Sequence, residues 1–209
     1  MPKVSKEHME ERRNEIINAC EKIYKEKGFY GVTLKEIGNE TSFTRPAMYT
    51  YFETKDEILL ALLEREYEAW CDSLETVRKS TAKKSRKKLA EAIAHTLDSR
   101  ETLLRIQNMN LFEIEQNSRV ECLAEFKKVY KRTLGIMMDI LKAYKPDMKD
   151  KERETISLTF FSFLFGVYPF VFHTEKQLQA MEIADVRQSE VTIFDMVYEL
   201  LIRIIPEIK

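Results

Sequence analysis

Glycine and proline are scarce, five of each among 209 residues, and no segment carries a convincing strand pattern. The chain therefore reads as soluble and helical rather than as a turn-rich β architecture. Cysteine is equally sparse. Cys20, Cys71 and Cys122 are far apart and odd in number, which argues against a disulfide framework or a zinc finger and suits a reducing cytoplasm. With three histidines, no His-x-x-x-His pair, no Gly-rich phosphate loop and no nucleophile elbow, neither an enzyme nor a cofactor site is expected. Charge of neither sign dominates: 34 Lys/Arg face 35 Asp/Glu, and the first 55 residues hold ten cations against nine anions. Composition alone does not point to nucleic acid. The opening MPKVSKEHMEERRNE has no apolar core segment, so no secretory signal is expected, and internal repeats and low-complexity segments are lacking.

What the chain does have is helical periodicity. From about Glu10 to Lys27, Ile16, Ile17, Cys20, Ile23 and Tyr24 recur at helical spacing, Gly28 stops the run, and Phe29 returns to a small core. Cys20 on that stripe reads as an inert core thiol. Two short helical patterns follow within TLKEIGNETSFTRPAMYTYFETK, residues 33–55. Leu34 and Ile37 supply the apolar side of the first; Ala47, Met48 and Phe52 supply that of the second. Thr33 and Thr44 stand where each helix begins, with hydroxyls suited to cap orphan N–H groups. Pro46 falls in a first turn, where its missing N–H does little harm. Such a helix-turn-helix presents the start of its second helix to the major groove of DNA.

These stretches resemble the tetracycline-repressor (TetR) family of bacterial transcriptional regulators. IINACEKIYKEKGFYGVTLKEIG is similar to the family's first helix, its Gly-Phe stop and its second helix. TRPAMYTYFETKDEILLAL is similar to the third helix, with a Tyr-x-Tyr-Phe run, a polar break and a Lys-led fourth helix. The resemblance spans roughly residues 10 to 65. One departure stands out: the family usually has Gly in the turn, where this chain has Thr41-Ser42-Phe43. A left-handed non-glycine there would cost on the order of 1 kcal/mol. The resemblance implies an all-α protein with a DNA-binding domain over 1–55 and an effector-binding, dimerising domain over 56–209.

DNA contacts divide into phosphate anchors and base readers. Thr33 and Thr44 can offer hydroxyls and N–H groups at helix N-termini to phosphates. Arg45 has the forked geometry that matches the O6/N7 edge of guanine, and Pro46 and Ala47 suit a thymine methyl. By the resemblance, Tyr49 and Tyr51 contribute hydroxyls to the backbone or base edges, although either could instead pack in the core. Lys55, opening the fourth helix, is expected to reach a flanking phosphate. A second reading is an all-α interaction protein whose helix-turn-helix no longer reads DNA.

Beyond the motif, a long helix is expected over 56–79, with Ile58, Leu59, Leu62, Leu63, Tyr67 and Trp70 inward. The basic run 83–88 reads as a solvated helix start. Helix is expected from Leu89 to about Gln107, a short segment over 108–117, and a long helix from Val120 to Tyr144 ended by Pro146. The charge-free stretch Thr155–Phe172 is nearly long enough to cross a bilayer, but Ser157, Thr159, Ser162, Gly166 and Pro169 favour a helix buried on two sides. A last helix over 189–206 is apolar on two sides as well. A second copy of the chain is the economical cover for both, with Phe160, Phe163, Val167, Phe194, Tyr198, Leu201 and Ile205 as the expected homodimer contacts. By the resemblance, the body encloses a pocket for a small apolar or amphipathic effector. Its aromatic and Met-rich content nominates Met109, Phe112, Phe126, Tyr130, Met137, Phe161 and Phe165, with His95 as a polar anchor. Glu91 and His95 share a face, but two ligands without a third do not make a metal site. The expected protein is a cytoplasmic, homodimeric repressor released by an effector from a palindromic double-stranded operator, with no membrane partner.

Overall fold

The computed structural model describes residues 6–42, 44–81 and 84–208, which form twelve helices and no strand. Phe43 of the turn, Lys83 of the basic run and the side chain of Arg45 lie outside the described part. By its contacts the chain forms two compact units. One comprises residues up to Glu66 together with Asn110–Val129; the other comprises Tyr67–Met109 and Tyr130 onward. Residues 110–129, which chain order would assign to the body, thus pack with the first 66.

The first unit opens with α1 (Lys6–Gly31), which kinks at Gly28, where φ is 69°. Only glycine takes that left-handed backbone without steric cost, so the regular helix stops there. Phe29 and Val32 then fold back into the core. α2 (Leu34–Asn39) is capped as expected, with the Thr33 hydroxyl accepting from Glu36 N at 3.1 Å. α3 (Arg45–Met48) is a single turn with Pro46 near its start, and α4 (Lys55–Lys79) begins at the expected lysine. Ile16, Ile17, Cys20, Ile23 and Tyr24 of α1 meet Ile37, Met48, Phe52, Ile58, Leu59, Leu62 and Leu63, all buried. α7 (Leu111–Gln116) and the first half of α8 (Val120–Tyr144) add Ile114 and Phe126 to this core.

In the second unit, α5 (Arg86–His95) starts behind the Ser85 cap and ends ten residues later. The continuous helix expected to Gln107 is broken over 96–100 before α6 (Glu101–Met109). Thr96 holds the break: its hydroxyl donates to Ile93 O at 2.7 Å and accepts from Trp70 Nε1 of α4 at 2.8 Å. α9 (Asp150–Leu164) and α10 (Tyr168–Val171) divide the charge-free stretch, with Pro169 in the first turn of α10. Asn108 supports that division, donating to Leu164 O at 2.7 Å and accepting from Tyr168 N at 3.2 Å. α11 (Glu175–Ile183), for which no element was expected, is set by a Thr174/Gln177 capping box and buries no residue. α12 (Ile193–Ile204) is capped by Thr192 and Asp195.

The apolar face expected to meet a partner needs correction. Phe160, Val167, Leu201 and Ile205 are buried inside the chain's own core, leaving Phe163, Phe194 and Tyr198 only partly covered. Leu158 of α9 and Phe165, which caps its end, turn outward instead, 49% and 40% exposed. Where two adjacent stripes of a helix are both apolar, periodicity does not tell which one the chain buries in itself. Among the described residues no helix is long and apolar enough to cross a membrane.

Candidate nucleic-acid interface

The reading element is built from the turn outward. The chain after α2 reaches Glu40 and Ser42 without any positive φ; among the described non-glycine residues only Asp185 has one. Over 40–42, then, no residue adopts the left-handed backbone that glycine would favour. Glu15 of α1 holds the turn in its place: its carboxylate accepts from Ser42 N at 2.6 Å and from the Ser42 hydroxyl at 3.2 Å. Two ion pairs tie α2 to α1, Lys22–Glu40 at 2.6 Å and Lys27–Glu36 at 2.5 Å. At Gly38 an added Cβ would lie 3.4 Å from Met48 Cε, in contact with the flexible end of that side chain.

α3 turns Met48 inward, and Phe52 follows four residues later; both are buried. Backbone bonds from Tyr51 N and Phe52 N to Met48 O, at 2.9 and 3.0 Å, carry the turn beyond the helix proper. The opposite side presents Thr44, Pro46, Tyr49 and Thr50 to solvent, with Ala47 half-buried at its edge. Thr44 occupies the N-cap position but its hydroxyl makes no capping bond, contrary to expectation; its carbonyl takes Ala47 N at 2.9 Å. Tyr49 is 47% exposed, whereas Tyr51 is half-buried and lines a cavity of about 360 Å³ with Arg13, Phe52 and Leu60. Thr50 belongs to the outward side and was not anticipated. Its hydroxyl donates to Ala47 O at 2.7 Å.

Lys55 is half-exposed, its ammonium 4.0 Å from the centre of the Phe29 ring. A cation over an aromatic face is worth about 0.5–1 kcal/mol at such a site, so the side chain is held beside the helix start. The next turn carries the main electrostatic feature of this unit. The Glu57 side chain is fully buried, and its carboxylate accepts from Arg119 Nε at 2.6 Å, Arg119 Nη2 at 2.9 Å, Glu53 N at 2.7 Å and Arg119 N at 3.2 Å. Burial by itself would raise the Glu57 pKa, but the bonds from Arg119 and the two N–H groups outweigh it and hold the carboxyl below the ordinary range. Arg119 is raised in turn, chiefly by its bond to Glu57. Neighbouring Asp56 behaves oppositely: burial raises it, only partly countered by Lys55, and its Oδ1 has no hydrogen-bond partner. Neither Glu57 nor Arg119 was anticipated, because sixty-two residues separate them.

The residues named for an effector pocket are divided between the two units. Phe112 and Phe126 belong to the first unit and the others to the second. Met109, Phe112 and Phe165 are exposed, at 56%, 80% and 40%. Phe126, Met137 and Phe161 are core residues. Tyr130 joins an aromatic cluster with Tyr67 and Phe161, ring centres 5.9 and 5.8 Å apart. His95 lines a cavity of the second unit. Among the described residues no group of three His, Cys, Asp or Glu side chains can hold a metal ion.

An all-helical chain with this helix-turn-helix near its N-terminus has the architecture of a DNA-binding transcriptional regulator. Residues 16–62 match the model for bacterial regulatory proteins of the tetR family, and residues 64–205 match that for the tetracyclin repressor-like C-terminal domain. The second match alone covers well over half of the chain, and the protein belongs to the TetR family, whose members are regulators rather than enzymes. An uncharacterised helix-turn-helix regulator of Bacillus subtilis, YfiR, is 38% identical over 63 residues. That match spans 30% of this chain and 31% of YfiR, under a third of the relative's length. Over nearly the whole chain, a TetR-family regulator from Mesorhizobium loti superposes with a TM-score of 0.62 at 15% identity, covering 93% of this chain and 95% of that one. FadR of B. subtilis, solved with stearoyl-CoA, superposes at 0.59 with 16% identity over 94% and 99% of the two chains. At such identities the likeness is one of fold.

Proposed function

We propose that the protein is a homodimeric, cytoplasmic repressor that binds a short imperfect palindrome and leaves it when its body takes up a small molecule. The outward side of α3, with Thr44, Pro46, Tyr49 and Thr50 in solvent while Met48 and Phe52 anchor the helix, is the observation that carries the DNA reading. In this reading Thr33 and Thr44 hold phosphates, Arg45 reads guanine, Pro46 and Ala47 meet a thymine methyl, and Tyr49 contributes its hydroxyl. Lys55 swings from Phe29 to a flanking phosphate, and Tyr51 supports α3 from behind. Two heads about one helical turn apart, roughly 34–36 Å, then read the two half-sites. The outward Leu158 of α9 and Phe165 at its end, with the half-covered Phe163, supply apolar surface for the second copy. FadR, of the same fold, was solved with stearoyl-CoA, which supports a body that accepts a ligand.

Selection of bound genomic fragments by the purified protein tests this reading, followed by titration of the best site. A palindromic consensus is the expected result. On that site Arg45→Ala loses about 1–3 kcal/mol and relaxes preference at one base pair, while Lys55→Ala weakens all sequences alike. Equal losses on every sequence for both variants would refute the division of roles, and binding without sequence preference would refute the operator.

A further inference from the structure

The second unit leaves a cavity of about 450 Å³ where the end of α5, the start of α6, the end of α10 and the entry to α12 come together. That is a small-molecule volume, within the roughly 300–1,000 Å³ typical of such sites. Most of its wall is hydrocarbon. Leu97, Leu104 and Ile193 form a buried floor, and Phe172 and Phe194 stand partly open at the mouth. Phe194 lies between two rings, His95 at 4.5 Å and Tyr198 at 5.7 Å between centres.

Apart from His95, which pairs with Asp98, the ionisable side chains of the wall are acidic. Asp98 and Glu101 line it and no lysine or arginine does; Arg105, whose charge acts on the Tyr168 hydroxyl, lies one turn beyond Glu101 and is not in the wall. Both carboxylates have limited partners: Asp98 Oδ2 is 2.8 Å from His95 Nδ1, and Glu101 Oε1 accepts from the Tyr168 hydroxyl at 3.3 Å. Thr192 already gives its hydroxyl to Asp195 at 2.7 Å. An anionic amphiphile would set like charges against this rim beside an apolar surface, which is costly; a cation would be attracted to it.

We infer that this cavity is a binding site for a small amphiphilic amine, its ammonium held by Asp98 and Glu101 and its hydrocarbon laid on Leu97, Leu104, Ile193 and Phe194. The argument rests on the cavity's own walls and not on the operator reading. It extends that reading only by offering the body a ligand class.

Calorimetric titration of the full chain, free of DNA, with octylamine, octanol and octanoate isolates the head group on one tail. Octylamine binds at least about tenfold more tightly than octanoate, the equivalent of ~1.4 kcal/mol. The double variant Asp98→Asn, Glu101→Gln brings octylamine to within about twofold of octanol, because the charge term is removed while the floor is kept. Val191→Trp, at the half-exposed rim, weakens all three ligands, with helicity by circular dichroism confirming that each variant is folded. Failure of all three ligands to bind, octanoate binding as well as octylamine, or an amine preference that survives the double variant overturns the site. Operator titration of the same preparations without ligand reports separately on DNA binding, so failure of one reading is not mistaken for failure of the other.

Discussion

Glu57 and Asp56 are adjacent in the first turn of α4, yet burial acts on them with opposite outcomes. Glu57, held below the ordinary carboxyl range by Arg119, contributes stability that is present above its unfolded pKa and is lost as pH falls through the lower folded value. Asp56, raised by burial, contributes stability below its unfolded pKa that disappears as pH rises through the folded one. Two expected outcomes follow from these signs. Glu57→Gln removes a buried charge-assisted network and costs about 1–2 kcal/mol at pH 7, and it flattens the loss of stability between neutral and acid pH. Asp56→Asn, which removes a buried charge whose Oδ1 has no partner, raises stability at pH 7 and leaves stability near pH 3 almost unchanged. Urea denaturation at both pH values measures each; a loss on Asp56→Asn at pH 7 would show that helix-start charge outweighs desolvation there.

Among the elements, those set by local chemistry were legible in the sequence. Thr33 caps α2, Gly28 ends the regular part of α1, Pro46 sits in the first turn of α3, and α8 runs from Val120 to Tyr144, each as cap, stop and period rules require. Elements whose limits depend on tertiary partners were not. The break between α5 and α6 uses Trp70 on another helix, and α11 has no buried residue and so no apolar period, although its Thr174–Gln177 box was there to be read. The buried stripe of α9 and the Glu57–Arg119 network depend equally on distant residues. Within the candidate interface, residue types were legible but directions were not: Tyr49 turns out and Tyr51 turns in. The stop at Gly28 has a measurable consequence at this scale. Gly28→Ala forces a side chain into the left-handed region at about 1 kcal/mol, lowering the denaturation midpoint. Glu15→Ala spares the helices and removes the carboxylate that pins Ser42, so operator affinity falls while the unfolding midpoint moves little. Unchanged operator affinity in Glu15→Ala would mean that the turn is held by something other than Glu15.

At the scale of the whole molecule, the balance of charge limits how DNA can be held. The chain carries a formal charge of −1, so no long-range field draws it to a polyanion, and binding must rest on a few placed cations. Between residues 33 and 55 these are Lys35, Arg45 and Lys55, facing Glu36, Glu40 and Glu53 in the same stretch. Glu36 and Glu40 are already neutralised by Lys27 and Lys22, which leaves the cations of the reading stretch to the DNA instead of to each other's carboxylates. If two heads engage one operator, about six cations meet phosphates or bases. Each phosphate neutralised contributes about −0.9 to the slope of log affinity against log salt, so the slope should be no steeper than roughly −5. Titration of the selected operator between low and high salt measures it directly. Lys55→Ala should then make the slope of the dimer shallower by nearly two, one contact from each head, whereas a monomer on a half-site would lose only about one. A wild-type slope well beyond −5 would mean that cations outside the reading stretch, such as Arg12 or Arg13 of α1, also reach the backbone.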